Sequence, residues 1–92
     1  MVTAIVHFKV RRDRIPQVAA AIAELDGVRE VYSVTGDSDL VAIVRVDHHE
    51  ALAEVIADRL GKVDGIEETR TYLAFRTYAA SEVDAAFGPE FG

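Results

Sequence analysis

Val28-Arg-Glu-Val-Tyr-Ser-Val-Thr-Gly-Asp-Ser-Asp-Leu-Val-Ala-Ile-Val-Arg-Val46 reads as a β-hairpin. Val, Ile and Tyr suit a pleated, half-buried surface, so the runs on either side of Thr35-Gly36-Asp37-Ser38-Asp39 are strands. Gly36 supplies the backbone freedom of a tight connection, and the Asp and Ser side chains can bond their own backbone there. The tip is therefore acidic and short.

Upstream, Val2 to Val10 alternates. Val2, Ala4, Val6, Phe8 and Val10 share one face, and Thr3, Ile5, His7 and Lys9 the other, which predicts the first strand. After a polar connection, Pro16 fits the first turn of a helix, where its missing N–H had no partner. Ile15, Val18, Ala19, Ile22 and Leu25 recur every three or four residues and give that helix one apolar stripe. Downstream of the hairpin, Asp47 and Glu50 have the spacing of a capping box. A second helix then carries Leu52, Val55, Ile56 and Leu60. The fourth strand is predicted over 68–78, with Thr69, Thr71, Leu73, Phe75 and Thr77 on one side and Arg70, Tyr72, Ala74, Arg76 and Tyr78 on the other. Residues 79–92 form a tail, with Ser81 as a candidate cap and a helical turn over Glu82 to Phe87; Val83, Phe87 and Phe91 suggest that it docks.

The chain repeats itself. Leu25-Asp26-Gly27-Val28-Arg29-Glu30 matches Val63-Asp64-Gly65-Ile66-Glu67-Glu68 at an offset of 38, and the same offset maps Ala4-Ile5-Val6 onto Ala42-Ile43-Val44. Two β–α–β units in the order β-α-β-β-α-β predict a ferredoxin-like α+β domain over 1–78, a four-stranded antiparallel sheet with both helices on one face. The opposite face should then be polar in a monomer. It is not, because Ile5, Val41 and Ile43 point there, and such a patch marks an interface. A standard interface buries ~800 Å² per partner, about the size of such a face. A sheet-to-sheet dimer is expected.

Composition narrows the function. Ninety-two residues with no cysteine make one domain without disulfides, thiolate metal sites or a cysteine nucleophile. Ten Lys and Arg against sixteen Asp and Glu leave a formal charge of −6. Phosphate binding needs a cationic face, so direct nucleic-acid binding is not expected. No apolar run reaches a membrane span. A strand beginning at Val2 leaves no room for a signal peptide, so a cytoplasmic location is expected.

Catalytic signatures are missing from the sequence: there is no G-x-S-x-G, no phosphate loop and no G-x-G-x-x-G. His48 and His49 are adjacent and do not share a helix face, so no metal site is expected, and no cofactor. His7 reads as a core or interface histidine. The tip can receive an anion on its backbone N–H groups and an ammonium on Asp39, which together suit an α-amino acid. The plainer alternative is that Gly36 makes the turn and the carboxylates only solvate it.

Val-x-x-Val-Tyr-x-Val-Thr-Gly-Asp-x-Asp-Leu over 28–40, with Val63-Asp64-Gly65-Ile66-x-x-Thr69-x-Thr71, resembles the effector-binding domain of the Lrp/AsnC (feast/famine) transcriptional regulators. The resemblance covers roughly residues 2–78. It implies sheet-paired dimers assembled into rings, often octamers, with free amino acids held between dimers. By position it implies a site of Thr35, Gly36, Asp37, Asp39, Thr69 and Thr71, with Asp39→Ala abolishing binding and leaving the fold intact. Family regulators carry a winged helix-turn-helix ahead of this domain. The start of the first strand at Val2 reads instead as a stand-alone effector domain, able to co-assemble with a full-length relative. The competing reading is a small ferredoxin-like enzyme of monooxygenase or isomerase type, which requires a cavity between helices and sheet lined by His7 or a tyrosine.

Overall fold

The computed structural model describes residues 1–80. Strand β1 (Val2–Val10) leads through a short 3₁₀ turn at Arg12–Arg14 into helix α1 (Ile15–Ala23). Strands β2 (Val28–Ser33) and β3 (Leu40–Val46) follow. Helix α2 begins as an α-helix over His49–Ala53 and continues as a π-helix over Glu54–Arg59 and a 3₁₀ turn over Leu60–Lys62. Strand β4 (Ile66–Leu73) closes the sheet, whose order is β2-β3-β1-β4 with antiparallel pairs throughout. This is the expected ferredoxin-like α+β fold.

The core is the layer between helices and sheet. Ala4, Val6 and Phe8 from β1 and Leu40, Ala42 and Val44 from β3 are completely buried. Val18 and Ile22 of α1, with Val55 and Leu60 of α2, cover them. Burying a side chain of this size stabilises by ~1.5–3 kcal/mol, so these positions dominate the fold's stability.

Four details depart from the sequence reading. First, the cap of α2 is His48 rather than Asp47. His48 has extended backbone (φ −151°, ψ 168°), and its Nδ1 accepts the Ala51 N–H at 3.2 Å. Second, α2 widens. In a regular α-helix, residues five apart point about 140° away from each other. The π-helix bonds the Leu60 N–H to the Val55 carbonyl and stacks these two core residues on one side. Third, β4 stops at Leu73. It is an edge strand that pairs, among the described residues, with β1 alone, and Leu73 already pairs with Ala4 and the Ala74 N–H with the Thr3 carbonyl. β1 starts at Val2 and so has no strand to offer Arg76 to Tyr78. Fourth, the 38-residue offset holds for the helix ends and outer strands but not for β1 and β3.

The hydrogen bonds show why. The Gly27 carbonyl accepts from the Arg45 N–H at 2.8 Å, and the Gly65 carbonyl from the Arg11 N–H at 2.9 Å. Val28 pairs with Val44 and Ile66 with Val10. Gly27 to Gly65 is 38 positions and Arg11 to Arg45 is 34. The second half therefore inserts four residues, about one helical turn, between its strand and its helix stripe. The Ala-Ile-Val match is a coincidence of composition. The local two-fold relating the halves passes through the pair His7–Val41.

The tail readings at Ser81, over Glu82 to Phe87, and at Val83, Phe87 and Phe91 lie outside the described residues.

Gly27 and Gly65 make the two returns from helix to sheet with φ of +94° and +98°. A Cβ on Gly65 would lie 2.8 Å from Val18 Cγ2, in the core, whereas one on Gly36, at φ +108°, meets nothing within 4 Å. Left-handed backbone costs a non-glycine residue ~1–2 kcal/mol. Gly36→Ala should therefore lower stability by about that amount, and Gly65→Ala by clearly more, in melting curves taken at one protein concentration.

Candidate functional site

The tip is held in place by the chain it leads into. The Val34 N–H bonds the Asp39 carbonyl at 3.1 Å, closing the hairpin. The Asp39 N–H then donates to the Phe8 carbonyl at 2.8 Å, and Asp39 Oδ2 accepts the Val10 N–H at 2.9 Å. Phe8 and Val10 turn their backbone groups toward the same edge of β1, the one that β3 lines. β3 begins only at Leu40, so no strand partner remains there for the Val10 N–H, and Asp39 satisfies it. Thus one of the two carboxylate oxygens assigned to a ligand ammonium is already committed to the fold.

Thr35, Gly36 and Asp37 are exposed at the crest of the tip. Grooves lie on both sides of it. One, of about 440 Å³, opens on the sheet face without helices and is lined by His7, Val34, Thr35, Asp37, Ser38, Val41, Arg70 and Tyr72. The other, of about 520 Å³, is lined by Lys9, Val10, Arg12, Gly36, Asp37, Asp39 and Glu67. Asp37 borders both. A further groove, about 600 Å³, lies on the helix side between Arg14, Val18, Leu25, Arg59 and Val63, and no tip residue borders it.

Thr69 and Thr71 do not join the tip within one chain. Thr69 pairs with Phe8 and Thr71 with Val6, whose side chains enter the core, so both threonines belong to the helix side of β4. They are nevertheless exposed, because α1 packs over β2 and β3 and α2 over β3 and β1. The alternate residues, Arg70 and Tyr72, share the tip's face. Arg70 pairs with His7, whose Nδ1 lies 3.3 Å from Ser38 Oγ and whose ring meets Tyr72 edge-on at 5.1 Å. The sequence carried the signal for these three: the alternation of β1 put His7 opposite the core, and an antiparallel β4 must match it.

Two rows of side chains cross this face. Glu30, Ile43, Ile5 and Tyr72 form one, and Tyr32, Val41, His7 and Arg70 the other. Tyr32 and Tyr72 are each about half exposed, at 48% and 50%. The Tyr32 hydroxyl donates to Glu30. That bond, then the nearby negative charge, raises the phenol's pKa above the usual tyrosine value. Meanwhile the layer between helices and sheet is filled by Phe8, Ile22, Leu40, Val6, Val18, Val44 and Val55, each under 2% exposed. The enzymatic alternative needs an open cavity there lined by His7 or a tyrosine, and these side chains occupy the space while His7 lies on the other face.

A four-stranded antiparallel sheet in the order β2-β3-β1-β4 with both helices on one face puts the domain in the ferredoxin-like α+β class. Within that class the chain belongs to the Lrp/AsnC family: the Lrp/AsnC ligand binding domain matches residues 3–83. It is similar to the HTH-type transcriptional regulator FL11 of Pyrococcus abyssi, 31% identical over 75 residues that cover 82% of this chain and 49% of the relative. It is also similar to TTHA0845 from Thermus thermophilus, whose crystal structure superposes with a TM-score of 0.81 at 47% identity over 86% of this chain and 99% of that one. Escherichia coli AsnC shares the fold at a TM-score of 0.77 and 23% identity, over 83% of this chain and 52% of AsnC. The chain spans about half the length of the curated relatives it matches.

Asp39→Ala should strand the part-buried Val10 N–H and destabilise by ~1–3 kcal/mol, with amide exchange quickening first at Val10. Asp39→Asn, which keeps an acceptor oxygen, should stay near the parent. In a chain with Tyr72 and Tyr78 replaced by Phe, Glu30→Gln should move the ultraviolet titration of Tyr32 down toward the ordinary tyrosine value, because both the bond and the charge that favour the neutral phenol are reduced.

Proposed function

We propose that this domain is a non-enzymatic sensing and assembly module that binds a free amino acid beside the hairpin tip and modulates transcription without touching DNA itself. The observation that supports this best is the division of labour at the tip. Asp39 anchors it to β1, leaving the Gly36 backbone, Thr35 and Asp37 presented outward on a fixed frame. A crest so held offers charge-assisted bonds to a zwitterion without first ordering a loop. The net charge of −6 opposes phosphate and favours a protein partner for any action at a promoter.

Self-association belongs to the same proposal. Ile5, Val41, Ile43, Tyr32 and Tyr72 put aliphatic and aromatic surface on the face that no helix covers among the described residues. A second copy seated there gives a dimer, and dimers of this family's kind close into rings such as octamers. Thr69 and Thr71, remote from their own tip's groove, become ligand contacts only if another copy brings them to it. Co-assembly with a full-length relative supplies the DNA contact, and co-expression with such a relative should yield mixed oligomers; clean segregation counts against that part.

Light scattering should report a dimer or larger particle, and Ile43→Glu, which sets a charge at the centre of the bare face, should shift it toward monomer with the fold retained. Calorimetric titration with the twenty amino acids should give heat for a subset. Silence across the panel rejects the sensing role and leaves assembly alone.

A further inference from the structure

The groove on the helix side, about 600 Å³, has one wall from each helix. Arg14, Val18, Ala21 and Leu25, spaced three and four apart, form the α1 wall; Arg59, Lys62 and Val63 at the end of α2 form the other. Both ends are tied. At one, a Cβ on Gly65 would lie 3.5 Å from Arg14 Cβ, so the return into β4 packs against the arginine stem. At the other, Arg59 Nη1 donates to the Asp26 carbonyl at 3.0 Å.

Arg14 is the unusual member. Its Nε is buried without an acceptor, and its guanidinium joins no ion pair among the described residues. An unmet buried donor opposes folding, so stability does not account for this arginine. Lys62 is also without an ion pair among the described residues, whereas Arg59 Nη2 lies 3.9 Å from Glu54. Glu24 and Asp64 are exposed at the rim. Three cations over two carboxylates leave the groove positive, on a chain whose formal charge is −6.

We infer that this groove binds a small monocarboxylate with an extended apolar chain, Arg14 and Lys62 taking the carboxylate and Val18, Ala21, Leu25 and Val63 the chain. The inference is independent of the amino-acid reading, because the groove lies across the sheet from the face assigned to a second copy and no tip residue borders it. The Arg14 stem is already held against Gly65, so little freedom is lost when its planar fork meets two oxygens. One excess positive charge matches one negative charge. A phosphate monoester carries nearly two at neutral pH and would be opposed by Glu24 and Asp64. The nine residues of α1 run ~14 Å at 1.5 Å per residue, which suits a long, narrow molecule. The volume lies in the range of small-molecule sites.

The test titrates the full chain with octanoate, hexanoate, octylamine and octyl phosphate. Octanoate should bind about tenfold or more tighter than octylamine, and tighter than octyl phosphate. Each methylene removed from water is worth about two- to fourfold, so octanoate should exceed hexanoate by about fourfold or more. Arg14→Gln should weaken octanoate by about tenfold or more while melting no lower than the parent, a combination that a merely structural arginine would not give. Ala21→Phe, which fills the apolar wall, should also weaken octanoate, with melting curves to confirm that the variant folds. Ile43→Glu, on the opposite face, should bind octanoate like the parent, which separates the groove from adsorption to the bare sheet. The inference is overturned if octanoate does not bind, if octylamine or octyl phosphate binds tighter, or if Ile43→Glu removes binding and Arg14→Gln does not. None of these outcomes touches the sensing role, which is read with amino acids.

Discussion

The burial of one face of two neighbouring strands governs this molecule. β1 and β3 lie side by side in the middle of the sheet, and Ala4, Val6, Phe8, Leu40, Ala42 and Val44 have no contact with water. Side chains along a strand alternate, so sealing one face commits the other. Ile5, His7, Val41 and Ile43 must therefore look outward, on a surface that none of the described elements covers. The core and the apolar outer surface are two results of the same pairing.

Much of this was legible in the sequence. The period-two pattern of Val2 to Val10 and of Leu40 to Val46 gave both central strands with their observed bounds. The three-and-four spacing of Ile15 to Leu25 gave the stripe of α1. What escaped was set by contacts between distant segments. The pattern of Thr, Tyr and Phe runs on to Tyr78, but β4 ends where β1 runs out of partners. The widening of α2 lets Val55 and Leu60 meet the same core, which a helix read at 3.6 residues per turn does not foresee. His48 outcompetes Asp47 as a cap because it is the residue that leaves extended backbone at the turn into the helix.

The candidate site was legible in a similar proportion. Thr35, Gly36, Asp37 and Asp39 stand together because they are close neighbours in the tip. Their division of roles was not readable, because it depends on the Val10 N–H, left without a strand partner where β1 outruns β3, more than two dozen residues away. Likewise, alternation alone allowed either Thr69 and Thr71 or Arg70 and Tyr72 to accompany the tip, and the pairing of β4 with β1 assigns the second set to the tip's face.

The local two-fold through His7 and Val41 makes Tyr32 and Arg70 counterparts at opposite margins of the bare face. Around that axis the halves agree in backbone and disagree in chemistry: Ile5, Ile43 and Tyr72 lie toward one end, Lys9 and Glu68 toward the other. The half-turn that exchanges the two central strands sets Lys9 in the place of Ile43, so the corrugation of this face repeats across the axis while its chemistry does not.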